Sequence, residues 1–230
     1  MVKFENVTVI YEKDHFGKIH ALSNVSFEVK ENEFVLLVGK SGSGKTTILR
    51  VILGEVKPTE GRVFFDGKEI TKLPPGEISK IRREIGVIFQ DYKLLSFKNA
   101  MENLMYVLEI TNTPEKEIER ESLEALEIVG LKNRAKNFPH ELSAGEKQRL
   151  AIARSLLLKP KLILADEPTG NLDPYNTYEI LEIFKKIHQM GKTIILATHN
   201  EEVVKYLKKR VLTLEDGEII RDDEKGRFLI

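Results

Sequence analysis

The eight residues Gly39-Lys40-Ser41-Gly42-Ser43-Gly44-Lys45-Thr46 constrain the fold of this chain more than any other stretch. They stand between the continuous apolar run Phe34–Val38 and a helix-like segment from Lys45 to Leu53 that Gly54 closes. A short run that is apolar at every position reads as a strand covered on both faces, the kind found in parallel sheets flanked by helices. The glycines let successive backbone N–H groups converge on an anion where a Cβ would obstruct them. The helix that follows directs the positive end of its dipole at the same point. This is the P-loop pattern in the setting it requires, strand before and helix after. It implies a nucleoside triphosphate, with Lys45 reaching the β- and γ-phosphates and the Thr46 hydroxyl ligating Mg²⁺. Alone, the loop says no more than that.

Two further strands end in residues that carry chemistry. Leu162-Ile163-Leu164-Ala165 is apolar throughout and runs into Asp166 and Glu167, and Thr193–Ala197 leads to His199. In sheets of this type ligands bind at the carboxyl ends of the strands. Asp166 is then placed to hold Mg²⁺, directly or through a water, and Glu167 to polarise the attacking water. His199, converging with the other two strand ends, is expected at the γ-phosphate. Residues 2–11 and 22–29 alternate as half-buried strands, and 61–66 is another, with Asp66-Gly67 as its turn signal. From about Asp91 to Lys159 the pattern is mainly helical. Thr113-Pro114 reads as an N-cap and a Pro at the first position of a helix that ends at Gly130. An amphipathic helix covers Tyr178–Gln189 and stops at Gly191, and residues 211–214 and 218–220 form a hairpin across Asp216-Gly217. The plan is one α/β domain, residues 1–230, with a helical insertion at about 91–159.

Composition removes several function classes. Lys+Arg and Asp+Glu are both 36, so net charge gives no reason to expect nucleic acid or an acidic membrane surface as a partner. The absence of cysteine excludes disulfides, thiolate metal sites and cysteine nucleophiles, and suits a reducing cytoplasm. No apolar run approaches the ~20 residues that cross a bilayer as a helix. The opening Met1–Ile10 alternates and carries Lys3 and Glu5, so it is not expected to be a signal or transit segment. Any membrane contact is expected to come through a partner.

Leu142-Ser143-Ala144-Gly145-Glu146-Lys147-Gln148-Arg149 is the most informative stretch after the loop. Ser143 with Glu146 three residues on is a capping box that opens a helix running to Leu158. The box does not explain Gly145, because glycine costs roughly 1 kcal/mol against alanine inside a helix. A small residue at a helix start fits a second anion-binding N-terminus. With these motifs in this order, the chain resembles the nucleotide-binding domain of the ABC ATPases over its whole length. The resemblance implies a P-loop NTPase fold of the ABC ATPase type, with a mixed central sheet, an antiparallel β subdomain and an inserted helical subdomain. It makes Gly39–Thr46, followed by Thr47, the Walker A loop, Leu162–Glu167 Walker B and Leu142–Glu146 the signature motif. Gln90 becomes the Q-loop glutamine, Asn171-Leu172-Asp173 the core of the D-loop and His199 the switch histidine. Lys45, Gln90, Glu167 and His199 are the implied catalytic set, with Thr46, Gln90 and Asp166 around Mg²⁺. ATP and Mg²⁺ are the implied cofactors. Tyr11 resembles the aromatic that stacks on adenine, with Phe16 close enough to compete. In this family two domains pack head to tail in a nucleotide-dependent homodimer, so Ser143, Ala144, Gly145, Glu146 and Asp173 would meet ATP held by a second copy. Ala144 departs from the glycine more usual there. If it occupies the first helical turn its φ is ordinary and the methyl costs little.

Within the family the chain is similar to the cell-division branch, the FtsE type. The residues that carry this are Ile88-Phe89-Gln90-Asp91 with Leu94-Leu95, Ala135-Lys136-Asn137-Phe138-Pro139, and Leu212-Thr213-Leu214 with Asp216-Gly217. The stretch Asp166–Asp173 is shared more widely, with lipoprotein-release and macrolide-export ATPases, which remain the alternative. The branch implies a cytoplasmic ATPase held at the inner face of the cell membrane by an FtsX-like integral membrane protein, where ATP-driven dimer closure controls cell-wall hydrolases. The partner is expected to dock near Gln90 and the 91–96 loop, with one or two of Phe89, Tyr92, Leu94, Leu95 and Phe97 exposed for it. A P-loop kinase would give Leu142–Glu146 no role, and a nucleotide-dependent binder without turnover would have no need of Glu167 and His199.

Overall fold

The computed structural model describes residues 1–13, 17–224 and 226. Strands β1 (Val2–Lys13), β2 (Gly17–Val29), β4 (Glu60–Phe65) and β5 (Lys68–Glu69) form an antiparallel sheet in the order β2-β1-β4-β5. The second sheet runs β10-β9-β3-β8-β7-β6, from β3 (Phe34–Val38), β6 (Ile85–Ile88), β7 (Leu162–Asp166), β8 (Thr193–Thr198), β9 (Arg210–Glu215) and β10 (Glu218–Asp223). Its strands β9, β3, β8, β7 and β6 are parallel, and β10 returns antiparallel beside β9. The central sheet is therefore mixed, as expected.

The apolar runs have a direct structural cause. Leu36 and Val38 of β3 belong to one core and Val35 and Leu37 to another. In β7 the pairs are Ile163 with Ala165 and Leu162 with Leu164; in β8 they are Ile194 with Leu196 and Ile195 with Ala197. Successive side chains of a strand point to opposite faces, so a strand between two cores is apolar at every position. The first core packs against α3 (Ala100–Ile110), α4 (Glu115–Ile128), α5 (Ala144–Leu156) and α6 (Pro174–Gln189). The second packs against α1 (Lys45–Ile52) and the antiparallel sheet.

Several boundaries move from the sequence reading. The strand expected at 22–29 begins at Gly17, and the one expected at 2–11 reaches Lys13. α4 starts at Glu115 with Pro114 as its N-cap residue and no side-chain cap, while Thr113 N–H finishes the preceding helix on the Leu108 carbonyl. α6 starts at Pro174 rather than Tyr178, because Asp173 accepts from the Asn176 N–H and caps it. Helices α2 (Pro75–Arg83) and α7 (Glu201–Leu207) and strand β6 were not anticipated. α2 buries only Ile78 and Ile81, so its apolar signal is thin.

Residues 91–99 are a fixed loop rather than helix. Buried Asn103 of α3 donates from Nδ2 to the carbonyls of Leu95, Lys98 and Asn99 and accepts from the Leu95 N–H. Arg154 of α5 donates to the carbonyls of Tyr92 and Lys93, two residues held at φ 59° and 49°. Of the apolar cluster here, Phe97 alone is exposed, at 74%, while Phe89, Tyr92, Leu94 and Leu95 are half-buried. Among the described residues no helix is long and apolar enough to cross a membrane.

Candidate functional site

Parallel pairing fixes the site. Val38 at the end of β3 pairs with Thr198 of β8, and Asp166 at the end of β7 pairs with Ala197. Gly39, Glu167 and His199 therefore leave the same edge of the sheet. The Glu167 N–H donates to the Ala197 carbonyl at 2.9 Å, which holds Glu167 at a left-handed φ of 47°. Its Oε1 then lies 2.7 Å from His199 Nδ1.

The loop after β3 is shaped by glycine where the chain crowds itself. Gly44 has φ 106°, and a Cβ there would lie 2.7 Å from the Ala21 carbonyl oxygen. Gly44 is the N-cap of α1 and supplies no side-chain cap, so the first N–H groups of that helix get no side-chain acceptor from it. Buried Lys45 donates from Nζ to the carbonyls of Gly39 at 2.7 Å and Lys40 at 2.9 Å, closing the loop around itself. Burial lowers the Lys45 pKa, and the charges of Glu167 and Asp166 partly counter this. The Thr46 hydroxyl donates to Asp166 Oδ2 at 2.9 Å. Burial raises the Asp166 pKa, the Thr46 hydrogen bond opposes the shift and the Glu167 charge adds to it.

These groups line a cleft of about 650 Å³. Of the residues expected there, Tyr11, Ser41, Gly42, Gly44, Lys45, Thr46, Thr47, Gln90, Asp166, Glu167 and His199 all reach it. Gly39, Lys40 and Ser43 do not. A Cβ on Gly39 would meet the Leu214 carbonyl at 2.3 Å, so this glycine answers to the strand behind it. Lys40 and Ser43 instead border a smaller hollow beside Thr213 and Asp216. Phe16, the competitor of Tyr11, lies outside the described residues.

Ile19, His20 and Ala21 also line the cleft, and the sequence reading missed them. Ile19 is the antiparallel neighbour of Tyr11. Continuing the second strand back towards Gly17 would have placed it beside the expected adenine aromatic. Gln90 reaches the cleft, but its amide donates to Asn171 Oδ1 and the Asn171 amide donates back to the Gln90 carbonyl, both at 3.3 Å. Here it is tied to the 171–173 turn.

Ser143, Ala144, Gly145, Glu146 and Asp173 do not line the cleft of their own chain. Ser143 caps α5: its Oγ accepts from the Glu146 N–H at 3.2 Å, and Glu146 Oε2 accepts from the Ser143 N–H at 2.8 Å. Glu146 Oε1 accepts from Arg134 Nε at 2.9 Å. The Glu146 carboxyl is held below the usual range, first by the Ser143 backbone hydrogen bond. Ala144 is the first residue of α5 and does not have positive φ, so its methyl costs the backbone nothing.

Oxygen donors at one end of the cleft fit a small hard cation. Thr46 Oγ1 and Asp166 face each other within hydrogen-bond distance. Mg²⁺ in nucleotide sites takes one or two protein oxygens together with phosphates and waters, not a full cage of carboxylates. Among the described residues no group of three or more His, Cys, Asp or Glu side chains could hold a metal by itself. The same end of the cleft opens onto the N-terminus of α1, where negative charge is favoured.

Comparison with known proteins agrees with this geometry. The sequence profile of the family described as ABC transporter matches residues 22–170. The cell division ATP-binding protein FtsE of Streptococcus pneumoniae is 44% identical over 208 residues, 90% of each chain. The methionine import ATP-binding protein MetN of Escherichia coli O157:H7 is 43% identical over 226 residues, covering 97% of this chain and 65% of MetN. Among solved structures, the dimeric post-hydrolysis state of the ATP-binding cassette MJ0796, bound to ADP and Pi, superposes with a TM-score of 0.89 at 39% identity, covering 99% of this chain and 100% of that one.

Proposed function

The chain belongs to the ABC transporter family and is an ATP-binding ATPase, and on that premise we propose that it drives a cell-division membrane complex of the FtsE–FtsX kind. The observation that carries this is the similarity to FtsE over nine-tenths of both chains. The proposed partner is an FtsX-like integral membrane protein, docked at exposed Phe97 on the loop fixed by Asn103 and Arg154. The ATPase would thus sit on the cytoplasmic face of the membrane through its partner. MetN, at 43% identity, supports a second reading, the ATPase subunit of a true transporter.

The proposed chemistry assigns roles to residues already in place. The open N-terminus of α1 binds the phosphates, and Lys45 exchanges its two loop carbonyls for the β- and γ-phosphate oxygens. Thr46 and Asp166 are proposed to hold Mg²⁺, which when bound would neutralise phosphate charge. Glu167 accepts a proton from the attacking water, and His199, bonded to Glu167 through Nδ1, orients it and keeps its other ring nitrogen for the γ-phosphate. Tyr11 and Ile19 offer an apolar wall to the base. The signature residues, outside the cleft of their own chain, complete the site from a second copy. The dimeric state of MJ0796 supports that arrangement.

Co-purification from native membranes tests the proposal. A small polytopic partner retained by the wild type and lost with Phe97→Glu, with folding and ATP binding intact, is the expected result; a substrate-binding importer partner would instead support transport. Glu167→Gln should lower hydrolysis by about 10²- to 10⁴-fold while ATP binding persists and dimers accumulate. Unchanged turnover would remove Glu167 from its role.

A further inference from the structure

Gly145 is buried in the first turn of α5, and neither helix propensity nor backbone conformation asks for glycine there. Its φ is not positive, and alanine is the better helix former by roughly 1 kcal/mol. What excludes a side chain is α6. A Cβ on Gly145 would lie 2.0 Å from Asn176 Oδ1, 2.7 Å from its Cγ and 3.2 Å from its Cβ. Asn176 cannot turn away freely. Its Nδ2 donates to Asp173 Oδ2 at 2.5 Å and its backbone N–H donates to Asp173 Oδ1 at 3.0 Å. Asp173 closes the 171–173 turn, whose Asn171 is bonded to Gln90 at the cleft.

We propose that Asn176 is a positioning residue that locks the Asn171–Asp173 turn to the signature turn Ser143–Glu146, and that residue 145 is glycine because the Asn176 amide occupies the place of its side chain. The signature turn, the cap of α6 and the side chain of Gln90 then move as one body when two copies close on ATP. The catalytic consequence rests on the two-copy site proposed above; the packing consequence does not.

A double-mutant cycle tests both. Gly145→Ala displaces the turn by about an ångström and should lower kcat about ten- to a hundredfold, with a lower melting temperature. Asn176→Ala should lower kcat only a fewfold and leave the ATP KM unchanged. In the double variant only the 3.2 Å approach to the Cβ of residue 176 remains, so melting temperature and kcat should recover most of what Gly145→Ala alone loses. Asn176→Asp keeps the size and loses the donor to Asp173; it should lower kcat with KM intact. If Gly145→Ala does not fold, recovery of folded protein in the double variant is the same expected result, and continued failure to fold overturns the proposal. An equal cost of Gly145→Ala in both backgrounds overturns it too, since the methyl then collides elsewhere. Rescue of melting without rescue of kcat overturns the positioning role. The membrane-partner assignment is untouched by any of these outcomes, because it is read from co-purification.

Discussion

Two helix N-termini in this chain carry the same electrostatic promise and are finished in opposite ways. α1 opens on Gly44 with no side-chain cap, so its first N–H groups are left to whatever lies in the cleft. α5 opens on Ser143 with a complete capping box, backed by Arg134 on Glu146. A helix start left open towards a cleft can meet an anion there, and one closed by side chains is stable without a ligand. The closed one can still donate from the Ser143 hydroxyl, which is exposed. The contrast matches the division of labour proposed for the dimer: α1 holds the nucleotide, and α5 arrives already shaped.

The open end should break hardest. Lys45→Ala removes the side chain that ties the loop to itself at both Gly39 and Lys40 and the cation that would meet the phosphates. ATP hydrolysis should fall by about 10²- to 10³-fold, in line with loss of a preorganised electrostatic donor, and ATP affinity should fall with it. Titration with a fluorescent ATP analogue checks the second half; full affinity in the variant would mean that the glycine loop and helix alone suffice.

The closed end separates two roles that one hydroxyl combines. Ser143→Ala should cost about 1 kcal/mol of stability through the lost cap and lower ATPase activity about tenfold or more through the lost donor. Ser143→Asp restores an acceptable cap but offers no hydroxyl proton and brings negative charge towards phosphate. It should recover the melting temperature and not the activity. Recovery of both would assign Ser143 to helix stability alone. If the two ends meet across copies, the specific activity of the wild type should also fall on dilution, because only the dimer is complete. Specific activity that stays constant at high dilution would confine the site to one chain.

The two ends were not equally legible in the sequence, and the reasons are physical. The loop and both acidic and histidine strand ends could be read because β3, β7 and β8 lie between two cores, which leaves apolar runs that point at the residues following them. The capping box was readable because it is local. Ile19 was missed because its strand is exposed from Gly17 to His20, with no alternation to mark it. The 171–173 turn was read as a motif, but its bonds to Gln90, 81 residues away in sequence, and the contact of Asn176 with Gly145 depend on tertiary approach. In the sequence Gly145 reads as a sign of anion binding; the structure adds that the nearest group to its missing side chain is an amide of α6. Local chemistry is written locally; close approach between distant elements is not.

Ala144 gives the smallest effect and the finest test of the closed end. It is exposed, it opens α5 and its backbone does not have positive φ. Glycine at this position would gain no conformational relief and would loosen the first turn, at up to about 1 kcal/mol by helix propensity. The capping bonds of Ser143 and Glu146 do not pass through the Ala144 side chain, so the turn keeps its shape. Ala144→Gly should therefore change the steady-state ATPase rate by no more than about two- to threefold, the scale of an exposed substitution away from a strained site. A gain of several orders of magnitude would mean that the methyl blocks the approach of the second copy, and that the closed end is a degenerate form of the signature rather than a working one.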